Sequence, residues 1–158
     1  MSFVKREGYP MNPQLRKFVV GLVFSIFCFS ALPVSTAFSA QIVAKVDISQ
    51  QRMKVYVNGK QQYVWTVSTG KKGWRTPTGK FRPFSMHLNY YEKRWQANLP
   101  YLIGVTRGGV AIHGTYATKK LGRPASHGCI RLSVNNASRF YSLVKKHGLR
   151  NTRVIVTH

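Results

Sequence analysis

Acidic side chains are nearly missing from this chain: 3 Asp or Glu stand against 25 Lys or Arg among 158 residues, a formal net charge of +22. So lopsided a balance predicts polyanionic surroundings. Cysteine is equally scarce, with only Cys28 and Cys129 present. If Cys28 leaves with a leader, Cys129 has no partner in the chain, and a disulfide framework is excluded. The longest apolar run, Phe18 to Leu32, has fifteen residues. That is short of the ~20 needed to span a bilayer, so it argues against a retained membrane anchor. There is no internal repeat, no low-complexity tract and no CxxC or HxxE pattern.

What is present begins with an address. Lys5, Arg6, Arg16 and Lys17 precede the apolar run, and Pro33 and the small-residue stretch "VSTAFSAQ" follow it. A basic region, an apolar region and a small-residue cleavage site in that order define a secretory signal peptide. Residues 1 to 40 are read as that leader, with either Met1 or Met11 as its start, and residues 41 to 158 as one exported domain. The leader takes four basic residues and the acid Glu7, leaving 21 Lys or Arg against Asp47 and Glu92, a net charge of about +19. One domain with one core is what 118 residues allow.

Along that domain, alternation and turn residues predict extended segments. Asn58-Gly59 supplies the two positive φ angles of a type I′ turn, which predicts a hairpin of Met53 to Val57 with Gln62 to Ser68. Residues 69 to 80, "TGKKGWRTPTGK", read as a loop, and "STG" and "TPTG" read as ordinary turns. Further strands are expected at Tyr101 to Val105, at Gly109 to His113 and at the final "TRVIVT". The aromatic stretch "FRPFSMHLNYYEKRWQANLP" supports no assignment. One helix is clear: Ser133 caps it, Ala137, Phe140, Tyr141 and Val144 form its apolar face, and Gly148 stops it. The fold class is therefore mostly β, a mixed sheet or sandwich with one late helix.

The chemistry concentrates in "GVAIHGTYATKKLGRPASHGCIRL", residues 109 to 132. A thiol reacts as its thiolate, and neighbouring cations favour that form, so Arg131 beside Cys129 points to a nucleophile. Gly128, lacking Cβ, lets the backbone turn sharply there. The amides of His127, Gly128 and Cys129 are candidate donors to an oxyanion. His113, sixteen residues upstream, is the candidate general base, as cysteine-dependent acyl transfer requires. With acids so rare, a backbone carbonyl must orient its ring, and Gly114 is a candidate to supply it.

These residues resemble a family. "IHGT" followed by "SHGCIRL", and preceded by "VSTGKKGWRTPTGKF", is similar to the catalytic domain of the L,D-transpeptidases, cysteine enzymes of bacterial peptidoglycan. The resemblance covers essentially the whole domain from about Ile42. It implies that Cys129 accepts the acyl group and that His113 moves its proton. It also implies that Gly114 supplies the orienting carbonyl, with Ser126, His127, Gly128 and Arg131 in support. The implied substrate is a stem tetrapeptide, from which terminal D-alanine leaves and to which an amine is then joined, and the implied inhibitor is a carbapenem. No metal or cofactor is implied. The arginine in "SHGCIRL" is similar to Gram-negative members, which implies the periplasm. The implied partners are peptidoglycan stem peptides and an anionic cell envelope, with the processed protein peripheral to the membrane.

Other readings remain beside it. Water in place of the amine makes the same chemistry a hydrolase of stem peptides. Charge alone permits a non-enzymatic basic envelope-binding module. His113, His127 and Cys129 are also a conceivable zinc set. A nucleic-acid binder is disfavoured, because no helix is basic on one face and no aromatic-basic repeat offers stacking platforms.

Overall fold

The computed structural model describes residues 41–158, so the leader reading of residues 1 to 40 lies outside the described residues. Among the described residues no helix is long and apolar enough to cross a membrane.

Strict alternation builds the first sheet. β1 (Ile42–Asp47) buries Ile42, Ala44 and Val46, and β2 (Arg52–Val57) buries Met53 and Val55, every second residue in each case. Asn58 at φ 51° and Gly59 at φ 78° then turn the chain into β3 (Lys60–Thr66), as the Asn-Gly pair predicts. β3 begins two residues earlier than the hydrophobic pattern suggests, because the turn occupies only two positions. β11 (Thr152–Thr157) pairs in parallel with β1, Ile42 opposite Thr152, and β4 (Gly79–Phe81) lies antiparallel on β11. The five-stranded order is β3-β2-β1-β11-β4.

A second sheet carries the order β10-β9-β8-β5, from β5 (Ser85–His87), β8 (Leu102–Gly104), β9 (Ala111–Thr115) and β10 (Ile130–Ser133). β9 and β10 are parallel, whereas the other two pairings are antiparallel. β9 starts two residues later than expected, since Gly109 at φ 90° is still part of the turn that binds its N–H to the Thr106 carbonyl at 3.1 Å. The unassigned aromatic stretch contains β5 and a short hairpin, β6 (Tyr91–Glu92) with β7 (Ala97–Asn98). Strands of two or three residues are too short to display a period.

The helix α1 (Val134–His147) starts where the Ser133 hydroxyl accepts the Asn136 N–H at 3.3 Å. It ends at Gly148, φ 89°. Ala137, Phe140 and Val144 enter one core with Ile42, Val55, Ile103, Ile112, Ile130 and Leu132 from both sheets. Phe140 is fully buried, a contribution of about 2–3 kcal/mol. The second sheet thus has an inner face of Ile103, Ile112, Ile130 and Leu132, and its opposite face is left for the site.

Candidate active site

Register decides which side chains meet. Arg131 of β10 lies opposite His113 of β9, and neighbours in register project to the same face of a sheet. Cys129 stands two residues before Arg131, just ahead of β10. Cys129 and His113 line a cavity of about 260 Å³, with Arg131 and His127 also in its wall. Ala111, Leu102, Gly104, Ser85 and His87 line it too, each out of phase with the core-facing residues of its strand. The β6–β7 hairpin adds Glu92, Trp95 and Ala97 to the cavity wall.

His113 is only 3% exposed. Its Nδ1 lies 2.8 Å from the Gly114 carbonyl oxygen. A carbonyl only accepts, so the neutral ring carries its proton on Nδ1, and Nε2 is the free acceptor. Burial lowers the ring's pKa to about 4; the Gly114 bond opposes that shift and the Arg131 charge adds to it. At neutral pH the imidazole is therefore an uncharged base. Gly114 is a close-approach glycine: a Cβ would sit 3.1 Å from the Val134 Cα and 3.1 Å from the Pro100 Cγ. Its N–H also bonds the Pro100 carbonyl at 2.8 Å, so the orienting group is held from two sides.

Cys129 is a free, half-buried thiol whose Sγ lies 3.7 Å from the Gly109 carbonyl oxygen. Burial pushes the thiol pKa up, outweighing the Ala111 amide and Arg131, which both favour the thiolate. Arg131 favours the thiolate, as expected from its place beside Cys129, but its effect is smaller than that of burial. Desolvation wins, and the resting pair is a thiol beside a neutral imidazole. Gly128 stands at φ 109°, where a residue with a Cβ is strained.

The loop is clamped by hydroxyls. Ser126 donates to the Cys129 carbonyl at 2.6 Å and accepts the Gly128 N–H at 3.1 Å. That second bond occupies the Gly128 amide, which is removed from the set of oxyanion donors, leaving the amides of His127 and Cys129 as candidates. Thr76, 5% exposed, donates to the Gly128 carbonyl at 2.8 Å and accepts the Gly70 N–H at 2.9 Å. Arg131 donates from its guanidinium to the Ala125 carbonyl at 3.3 Å, and its backbone N–H bonds Ser68 at 2.9 Å.

Reading "STG" and "TPTG" as plain turns therefore misses their work. The Thr69 carbonyl accepts both the Ala125 and Ser126 amides at 2.9 Å, while buried Gln51 bonds Thr69 through both ends of its amide, at 2.7 and 2.9 Å. A Cβ on Gly70 would overlap the Trp74 carbonyl. Gln51 carries no local signal, because its partner is 18 residues away. His127 is in the wall, but its ring is stacked on Trp95, with centroids 3.9 Å apart and planes 6° from parallel. Trp74 meets the same ring edge-on at 5.0 Å. The tryptophans are rim residues, 37% and 41% exposed for Trp74 and Trp95. Among the described residues no three His, Cys, Asp or Glu side chains come together as metal donors.

The family model of the L,D-transpeptidase catalytic domain, YkuD, matches residues 41–156, and the chain belongs to that family. Among solved structures it is similar to an L,D-transpeptidase from Mycobacterium smegmatis, with 26% identity and a TM-score of 0.70, covering 75% of this chain and 59% of that one. An L,D-transpeptidase from Mycobacterium tuberculosis H37Rv gives 25% identity and a TM-score of 0.68, covering 75% and 58%. L,D-transpeptidase 3 from Mycobacterium tuberculosis, in complex with a faropenem-derived adduct, gives 22% and 0.64, covering 75% and 61%. The chain thus spans less than two thirds of the length of these relatives. No curated protein matches it.

Proposed function

We propose that the chain is an exported L,D-transpeptidase that acts on peptidoglycan stem peptides through an acyl-enzyme on Cys129. The observation that carries this reading is that Cys129 and His113 line one cavity, with the imidazole tautomer set by Gly114. In the first step the sulfur attacks the carbonyl that joins the third, diamino-acid residue to terminal D-alanine. The thiol proton passes to Nε2 of His113 as the S–C bond forms, and His113 returns it to the departing amine. The amides of His127 and Cys129 receive the developing oxyanion. In the second step an acceptor amine attacks the thioester, gives its proton to His113 and releases the thiol.

Ser126, Thr76 and Thr69 act as positioning residues that fix the turn. Export is supported by the leader pattern of residues 1 to 40 and places the domain in the periplasm, peripheral to the membrane. The surplus of cationic residues concentrates an anionic envelope polymer near the cavity. The test is product analysis by mass spectrometry on a tetrapeptide donor with an amine acceptor. The expected result is a joined peptide and free D-alanine, with turnover reduced on the order of a thousandfold or more in Cys129→Ala. Turnover retained in that variant contradicts the mechanism. Release of D-alanine with no joined product would assign the hydrolase reading instead.

A further inference from the structure

Only two carboxylates occur in residues 41 to 158, and one of them is in the cavity wall. Asp47 is on the other sheet, tied to its own turn through Ser49 at 2.7 Å and the Gln50 amide at 2.9 Å. Glu92 is different. It sits opposite Ala97 in the β6–β7 hairpin, and both line the cavity, whereas Tyr91 on the alternate face is 56% exposed. One carboxylate oxygen of Glu92 accepts the Arg94 backbone N–H at 3.1 Å. The Arg94 guanidinium turns away, over Trp95 at 5.2 Å and Trp74 at 5.9 Å. Glu92 is close enough to Cys129 for its charge to oppose ionisation of the thiol. A negative charge that hinders the nucleophile, kept in a cavity whose other charged wall residue is Arg131, is explained by a positively charged ligand group.

We propose that Glu92 is a specificity-determining residue that recognises a primary ammonium group on the peptide bound in this cavity. The inference rests on the stem-peptide reading. A diamino acid carries such an amine, and two sources are available: the side chain of the donor peptide and the amine of the acceptor. Without Glu92 an ammonium in this site faces only cationic and neutral walls. With it, the ammonium gains one anionic partner in the cavity wall.

Equilibrium binding in a Cys129→Ala background tests this without turnover, so a failure of the transfer chemistry does not mask the result. The probes are a tetrapeptide ending in D-alanine and a tripeptide without it, each with its diamino-acid amine free or acetylated. The expected result is that acetylation weakens binding about tenfold for at least one probe, and that adding Glu92→Gln abolishes this preference while unfolding stays cooperative. Preference in the tetrapeptide alone assigns the donor amine, and in the tripeptide alone the acceptor amine. A preference of equal size retained in Glu92→Gln, or no preference in the parent, overturns the proposal. If the preference disappears as expected yet no peptide is ever joined by the native enzyme, the transferase reading fails and ammonium recognition stands.

Discussion

Replacing Thr76 with valine keeps the side-chain volume and removes one hydroxyl that serves two backbone groups. The Gly128 carbonyl loses its donor at 2.8 Å and the Gly70 N–H loses its acceptor at 2.9 Å, both behind a residue only 5% exposed. An unsatisfied buried polar group costs about 1–3 kcal/mol, so the pair together costs about 3 kcal/mol if partial relaxation is allowed. No cavity adds to it, because valine and threonine have the same shape. A domain of this size has about 5–15 kcal/mol to lose, so the variant stays folded. Urea denaturation should show a lower midpoint with an unchanged slope, and thermal unfolding should fall by about 10 °C. Because Gly128 precedes the nucleophile, acyl-enzyme formation should also slow by about tenfold. A stability change under about 0.5 kcal/mol, or a full loss of stability with wild-type acylation at low temperature, would refute the claim that Thr76 holds the turn.

Further outcomes follow from the imidazole and its support. His113 has a folded pKa of about 4 against 6.5 in the unfolded chain, so unfolded molecules bind the extra proton between those values. Its contribution is intact above about pH 6.5 and is lost progressively as the pH falls towards 4, a change of about 3 kcal/mol. With only two carboxylates in the domain, this histidine should dominate acid destabilisation; His113→Gln should flatten the stability–pH curve in that window, and an unaltered curve would contradict the assigned burial. Acyl-enzyme formation should keep its base down to about pH 5, since His113 protonates only near 4. Gly114→Ala places a methyl 3.1 Å from both Val134 and Pro100, which should cost about 1–3 kcal/mol and lower kcat more than it raises KM.

The sequence made the ends of the domain legible and left its middle obscure, for physical reasons. Strands β1, β2, β3 and β11 and the helix α1 are long enough to repeat their periods, and Asn58-Gly59, Ser133 and Gly148 mark their ends with local chemistry. Cys129 and His113, candidates by residue type, line one cavity, and the Gly114 carbonyl that the resemblance implies lies 2.8 Å from Nδ1 of His113. The ionisation state was not, since burial of a thiol and an imidazole is a property of packing that no neighbouring residue reveals. Gln51, Thr69 and Thr76 give no local signal, because Gln51 meets Thr69 18 residues away, Thr69 meets Ala125 and Ser126 56 and 57 residues away, and Thr76 meets Gly128 52 residues away. The β6–β7 hairpin is not legible because two-residue strands are too short to show a period.

The account is tested most directly by intact mass measurement after incubation with a carbapenem, followed by peptide mapping. One covalent equivalent should appear, localised to Cys129, absent from Cys129→Ala and formed far more slowly in His113→Gln. An adduct on any other residue, or none at all in protein whose thiol is titrated as free and reduced, would contradict the sulfur's role as the attacking atom.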